Sequence, residues 1–402
     1  VNIYSLKNKG LAGNVWKYGL LSITNKRTYL TFFSIYLLTM PNTTAQTVGL
    51  VGFVSQIFGF LLEVPSGYIS DKIGHKNALI ISKIAFLIST IVLIFAQNNI
   101  YFFISSILMS IGFAMTSGTS SVFLQETLQS LGISKRYSEI AGRLRSLGFA
   151  VPIVFILGLP FIAENYGFTL AFIAAAVIDL IGLIVIISMH QPAIQKNTEE
   201  FELEKADGIL KSYLYIGWLP VVLFSTSVAA LSLAATAGFK NPFQENIGFS
   251  ISMLGVLWSI SRLGISIILL FSGWFKEKLT LIKVLFIQSI LFFLIYLGIH
   301  YFENKWIIAS LFILVTIVMW GFSSVKTHFF LNYLNRYKNK ASYVSINSFI
   351  QKVIQAIFSL LMGYLVFHYD YKSAYLVFGL LILGVIIFYT IYSIFQSKKQ
   401  SL

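Results

Sequence analysis

The sequence contains no cysteine and little charge: only 11% of its 402 residues are Asp, Glu, Lys or Arg. The first absence excludes disulfides, thiolate metal sites and thiol nucleophiles. The second leaves too little polar surface to cover a soluble protein of this size. Motifs of catalysis are missing too. No HExxH, no P-loop and no G-x-S-x-G occurs, and the five histidines (His75, His190, His300, His328 and His368) are scattered, mostly at predicted helix ends. An enzyme is therefore not expected, nor is an ATP-driven pump, a metal site or a cofactor. The first 17 residues are polar and basic, and no small-residue cleavage site follows, so the N-terminus reads as retained.

What is present is apolar. Hydrophobic residues make up 57% of the chain, and the mean hydropathy is +0.80. A membrane-spanning helix needs about 20 mostly apolar residues. Breaking the sequence at its polar and Gly/Pro interruptions predicts spans near 18–40, 47–66, 77–96, 99–126, 140–162 and 167–189. A second set follows near 212–237, 249–273, 280–299, 305–330, 342–367 and 373–395. The expected fold class is an all-α integral membrane protein with twelve transmembrane helices. Its expected organisation is a six-helix bundle over 1–189, a cytoplasmic linker over 190–211 and a second bundle over 212–402. With both termini cytoplasmic, 18 of the 29 basic residues fall on the cytoplasmic side, and only Lys240, Lys305 and Lys372 fall in outer loops. That asymmetry sets the orientation. The net charge of +14 then reports membrane topology, since no soluble basic domain exists to hold nucleic acid.

One polar connector, EVPSGYISDKIGHK at 63–76, has an echo. SGYISDK from Ser66 corresponds to SGWFKEK from Ser272, 206 residues on, pairing Gly67 with Gly273, Asp71 with Glu277 and Lys72 with Lys278. Gly49 and Gly255 pair in the preceding spans. A repeat of this kind is a known transporter construction. At Gly67, Asp71, Lys72, Gly74, His75 and Lys76 the connector resembles the signature loop of the major facilitator superfamily. Glu63 and Pro65 resemble an E-x-P-S-G variant found in bacterial members of unassigned substrate. The resemblance implies two pseudo-symmetric bundles, rocker-switch alternating access, a small-molecule substrate, a monomer and secondary active transport across the cytoplasmic (inner) membrane, with H+ as the coupling ion. Two departures stand out. The family's frequent arginine in the fourth helix is missing, and the Gly-Pro pattern of exporters is only faint in FAVPIVFILGLP.

The connector's chemistry suits a gate. Gly67 and Gly74 allow close approach and turn geometry, and Pro65 weakens the end of its helix. A carboxylate such as Asp71 stabilises a neighbouring helix N-terminus by about 0.3–1 kcal/mol, up to ~2 when partly buried. The family resemblance implies that this neighbour is the eleventh span, near Ala341, and that the contact breaks when the protein opens inward. Lys72, Lys76, Glu126, Arg143 and Arg145 lie at the same membrane face and are candidates for the same network, with Glu63 as gate or cap. For Lys72 and Lys76, a solvated turn that merely obeys the positive-inside rule is an equal reading.

Charges inside spans are the substrate-binding candidates. Lys26 and Arg27 lie within the first predicted span. Snorkelling can rescue one of them, but neighbours on a helix point about 100° apart, so the other faces the interior. Arg262 lies mid-span, with Gln56 as its repeat counterpart. Lys352 and Gln355 extend a polar stripe with Asn347 and Gln351. Lys83 is expected to snorkel. Asp179 is the only acid in the middle of a span. Structural pairing is favoured for it over a role in ion coupling. The basic excess points to an anionic solute such as a carboxylate, a phosphate or an acidic conjugate. Export of amphiphilic drugs or metabolites is the alternative, and a membrane-embedded enzyme a more distant one.

Overall fold

The structure, a computed structural model, describes residues 9–192, 237–334 and 340–400. Among these residues every regular element is helical. The first half contains α1 (Lys9–Thr24), α2 (Phe33–Leu38), α3 (Ala45–Leu61), α4 (Glu63–Ile73), α5 (His75–Ile94), α6 (Asn99–Thr116), α7 (Thr119–Ser130), α8 (Tyr137–Ala150), α9 (Pro152–Tyr166) and α10 (Phe168–Ile187). The second half contains α11 (Ala237–Asn246), α12 (Ile251–Leu270), α13 (Ser272–Lys278), α14 (Leu281–Tyr301), α15 (Lys305–Gly321), α16 (Ser323–Leu334), α17 (Lys340–His368) and α18 (Tyr371–Gln400). Seven described helices are long and apolar enough to cross a membrane, or eight if the bent pair α3–α4 is one span. The seventh expected span and the linker lie mostly outside the described residues.

Helix α10 shows what solvent this fold was built for. Its exposed face is Leu170, Ile173, Val177, Leu180, Ile181, Ile184 and Ile187, whereas Ala171, Ala175, Asp179 and Gly182 are buried. Phe172 and Ile186 are buried beside them. Large aliphatics outward, with small and polar residues among those inward, is the pattern of a lipid-facing helix, where close backbone packing and polar contacts hold helices together.

Several expected spans are broken, each for a local reason. The first was expected to run unbroken over 18–40. Instead α1 starts earlier, at Lys9, and ends at Thr24; a 3-10 turn follows at Thr28–Thr31, then α2. The helix-start argument that placed Lys26 and Arg27 inside a continuous helix is thereby corrected. The connector at 63–76 was expected to be a loop, but it is helical through Ile73. Its bend of 52° against α3 follows from Pro65, which has no N–H to give to the preceding turn. The real turn is Gly74, at φ 88°, a region that favours glycine. Gly67 is helical, and a methyl group there would meet nothing within 4 Å, so its expected close approach is not found.

The 206-residue repeat persists in detail. Asn98 and Asn304 are the N-caps of α6 and α15, and their side chains accept from Ile100 N and Trp306 N at 3.0 and 2.9 Å. Gly49 and Gly255 are both packed on bare backbone. A methyl at Gly49 would lie 2.6 Å from Ser359 O on α17, and one at Gly255 would lie 2.4 Å from Ile156 O on α9.

The contacts divide the chain into two compact units. Unit 1 is 1–43, 54–197 and 250–259; unit 2 is 44–53, 198–249 and 260–402. Each therefore takes a short segment from the other sequence half. In unit 1, Tyr18 and Leu21 of α1 pack with Phe123, Leu124, Leu144 and Ile186. In unit 2, Phe243 stacks on Tyr371, and Phe312 meets Tyr375 edge to face.

Candidate functional site

Two places collect the polar side chains that a membrane interior should not hold. The first is the break after α1. At Thr24 the helix stops, and its terminal carbonyl is left without a backbone partner inside the fold. Two cations take it: Arg27 Nη2 at 2.7 Å and Lys83 Nζ at 2.8 Å. Both nitrogens thus lie at the negative end of a helix dipole. Arg27 also grips Asp179 with both terminal nitrogens, Nη1 at 2.7 Å from Oδ2 and Nη2 on Oδ1. Thr90 Oγ1 donates to Asp179 Oδ2 at 2.9 Å, and Lys83 Nζ stands 3.6 Å from Oδ1. The Phe86 ring lies 4.3 Å beneath the guanidinium.

Sequence spacing explains the assembly. Lys83, Phe86 and Thr90 recur on one face of α5, while Asp179 and Gly182 are one turn apart on α10. A methyl at Gly182 would lie 2.4 Å from Thr24 Oγ1 and 2.6 Å from Lys83 Nζ. The missing side chain is what lets the lysine in.

This geometry overturns one expectation, the snorkelling of Lys83, and bears on two more, including the structural pairing favoured for Asp179. Lys83 does not snorkel: it is 1% exposed and inside the cluster. Arg27, expected to meet substrate, has its terminal nitrogens committed to Asp179 and Thr24. Asp179, held as a possible coupling group, is already surrounded by donors. Lys26, by contrast, is half-buried, with Nζ 4.8 Å over the Phe149 ring.

The connector forms a second polar group at one end of unit 1. Asp71 is largely exposed, its side chain at 80%, and its carboxylate lies 3.5 Å from His75 Nε2. His75 Nδ1 in turn lies 2.9 Å from Glu126 Oε2. Lys76 Nζ donates to Ile187 O at 2.9 Å and Lys17 Nζ to Ser188 O at 2.7 Å. Asn14 exchanges two hydrogen bonds with the His190 backbone. Together they cap the end of α10, where cations are favoured. Lys72 is exposed and Glu63 half-buried. Arg143 pairs with Glu139 at 2.9 Å, not with the connector. The side chain of Arg145 lies outside the described residues.

Unit 2 holds the other candidates. Arg262, on α12, is half-buried, yet its Nη1 is fully buried and has no hydrogen-bond partner among the described residues. Lys352 and Gln355 are half-buried on α17, where Gln351 donates to Asn347 at 2.9 Å. Gln56, in unit 1, is half-buried on α3. Two lysines are deeply buried. Lys240, assigned to an outer loop, is in α11 and 2% exposed. Lys326 is 3% exposed, with Nζ 3.5 Å from Met319 Sδ.

Comparison with known proteins gives concordant results. The family model described as Major Facilitator Superfamily matches residues 18–351. A curated protein of Buchnera aphidicola subsp. Schizaphis graminum (strain Sg), described as an uncharacterized transporter, is 27% identical over 155 residues, which are 37% of this chain and 38% of the relative. The chain thus spans well under half of that relative's length in the match. Among solved structures, a mutant of the nucleoside transporter NupG superposes with a TM-score of 0.79 at 15% identity, covering 94% of this chain and 98% of that one. A D-xylose–proton symporter gives 0.70 at 14% identity, covering 94% and 96%.

Proposed function

The chain belongs to the major facilitator superfamily, and from that premise we propose that it is a secondary active transporter of a small anionic solute, coupled to protons and working by rocker-switch alternating access. The family and its structural relatives are transporters, which sets the membrane-enzyme alternative aside. The observation that carries the substrate class is Arg262. A guanidinium nitrogen buried without a partner is costly in the empty protein. An incoming carboxylate or phosphate relieves that cost and matches the bidentate fork of arginine. Lys26, Lys352, Gln355 and Gln56 are the further substrate contacts of this reading. The basic asymmetry of the sequence supports a cytoplasmic-membrane protein with both termini inside, and a monomer is the family default that this reading adopts.

The connector is the cytoplasmic latch of this reading. Asp71 supports it by being exposed and therefore available to a partner helix. His75 and Glu126 extend the charge inward. Asp71→Asn should slow alternation more than it weakens substrate binding, in single-turnover exchange beside equilibrium binding. Unchanged alternation with lost binding would refute the latch.

The substrate itself is found by comparing metabolites inside cells and in the medium, with and without the gene. An anion that shifts between the two pools supports the reading, and its direction gives uptake or export. A cationic or uncharged amphiphile would replace it with the exporter alternative.

A further inference from the structure

The cluster at the α1 break has a charge count that does not close. Arg27 and Asp179 cancel, bound to each other by two hydrogen bonds. Lys83, when protonated, is then one positive charge too many, enclosed with Thr24 and Phe86 and 1% exposed. The charged groups facing its ammonium are Arg27, from the break, and Asp179, from α10. Helix α6, packed on the same helix, carries no charged residue. Asp71 and Glu126 meet α5 at its N-terminus, about two turns before Lys83, through His75.

The atoms around the ammonium are oxygens of a particular kind. Thr24 O is the carbonyl at the end of a helix broken inside the fold, and it lies 2.8 Å from Nζ. Asp179 Oδ1 is a carboxylate oxygen at 3.6 Å. Thr24 Oγ1 flanks the same small space, which a methyl on Gly182 would fill. Hard monovalent cations in transporters are bound by this set: unwound backbone carbonyls, half-helix C-terminal ends and an acid.

We propose that the α1 break, with Asp179, is a cradle for a monovalent cation of the sodium class, and that Lys83 fills it with its own tethered ammonium. A proton on Lys83 therefore stands where a sodium ion would otherwise bind. Arginine cannot give up its charge, and protonating Asp179 would sacrifice its two bonds to Arg27. Lys83 is thus the one member whose charge can change without dismantling the pair. This deepens the proton-coupled reading above, and its test needs no transported substrate, so the two can fail separately.

The test uses the purified full-length protein in detergent, with thermal unfolding followed in sodium chloride and in choline chloride at equal ionic strength. Lys83→Ala empties the cradle and should gain a sodium-specific rise in midpoint of about 3 °C or more. The unaltered protein, with its cradle filled, should show none. Lys83→Met removes the same charge but keeps the space filled, and it too should show none. No sodium-specific rise in Lys83→Ala would overturn the proposal. So would an equal rise in the unaltered protein or in Lys83→Met, because sodium would then act elsewhere. If Lys83→Ala does not survive purification, its monodisperse recovery from membranes is compared after solubilisation in the two salts. Recovery at least twofold higher in sodium supports the cradle, and anything less overturns it.

Discussion

The two units hold their buried arginines differently. In unit 1, Arg27 and Asp179 are paired in a two-pronged contact, with Thr90 as a further donor and Thr24 O as a further acceptor. In unit 2, Arg262 has a buried Nη1 that meets no hydrogen-bond partner, and Lys326 meets a thioether rather than a carboxylate, among the described residues. Each arginine keeps one buried nitrogen without a partner among the described residues, Nε in Arg27 and Nη1 in Arg262. What separates them is the carboxylate that holds both terminal nitrogens of Arg27, which suits a scaffold, whereas the proposed function makes Arg262 a binding group.

Substitutions should separate these two roles. The largest effect is expected from Asp179→Ala, which leaves Arg27 buried and unpaired; a loss of about 3–5 kcal/mol is expected, read as a collapse of the thermal midpoint. The double variant Arg27→Met with Asp179→Leu should recover most of that loss, as replacing both members of a buried pair by apolar groups commonly does. Failure to recover would mean that the pair does more than hold helices. Gly182→Ala comes next, by pressing a methyl onto Lys83 and Thr24. Its cost should be about 1–3 kcal/mol, measured in the same way. Arg262→Ala should invert the pattern. Transport of the identified substrate should fall at least tenfold, while the thermal midpoint stays level or rises, because a partnerless buried donor has been removed. A stability loss as large as that of Asp179→Ala would erase the contrast between the units. Lys76→Ala should be mildest, costing about 0.3–1 kcal/mol by uncapping α10, with substrate affinity unchanged in equilibrium binding.

Much of the architecture was legible before any coordinates. Apolar runs near 20 residues carry their own signal, because the bilayer fixes their length. The repeat was visible in SGYISDK and SGWFKEK, and it reappears at Asn98 and Asn304, which the sequence argument had passed over. The membrane solvent was legible as well, since the exposed face of α10 is almost wholly aliphatic. Helix breaks were not. Nothing in SITNKRTYL says that a helix stops at Thr24; the stop is repaid by Arg27 and Lys83 meeting the freed carbonyl, and Lys83 arrives from another helix. For the same reason Lys83 was misread. Its position suggested an easy path to water, but Gly182, far along the chain, opens space for it in the interior. Gly67 failed in the other direction. Gly67 and Gly74 were both credited with turn geometry, and Gly74 alone of the two takes it up, at φ 88°. Charged side chains gave away their presence in the sequence but not their partners, since partnership is decided by tertiary contact.

The surplus charge at the α1 break has an electrical consequence. A membrane holds a voltage, and one elementary charge crossing all of it changes energy by about 2.3 kcal/mol per 100 mV. The Arg27–Asp179 pair is neutral and feels that field only as a small dipole. Lys83, when protonated, is not neutral. If it takes up and releases the proton as proposed above, its protonation is weighted by the voltage as well as by the acidity on either side, and this end of the molecule then responds to the state of charge of the cell.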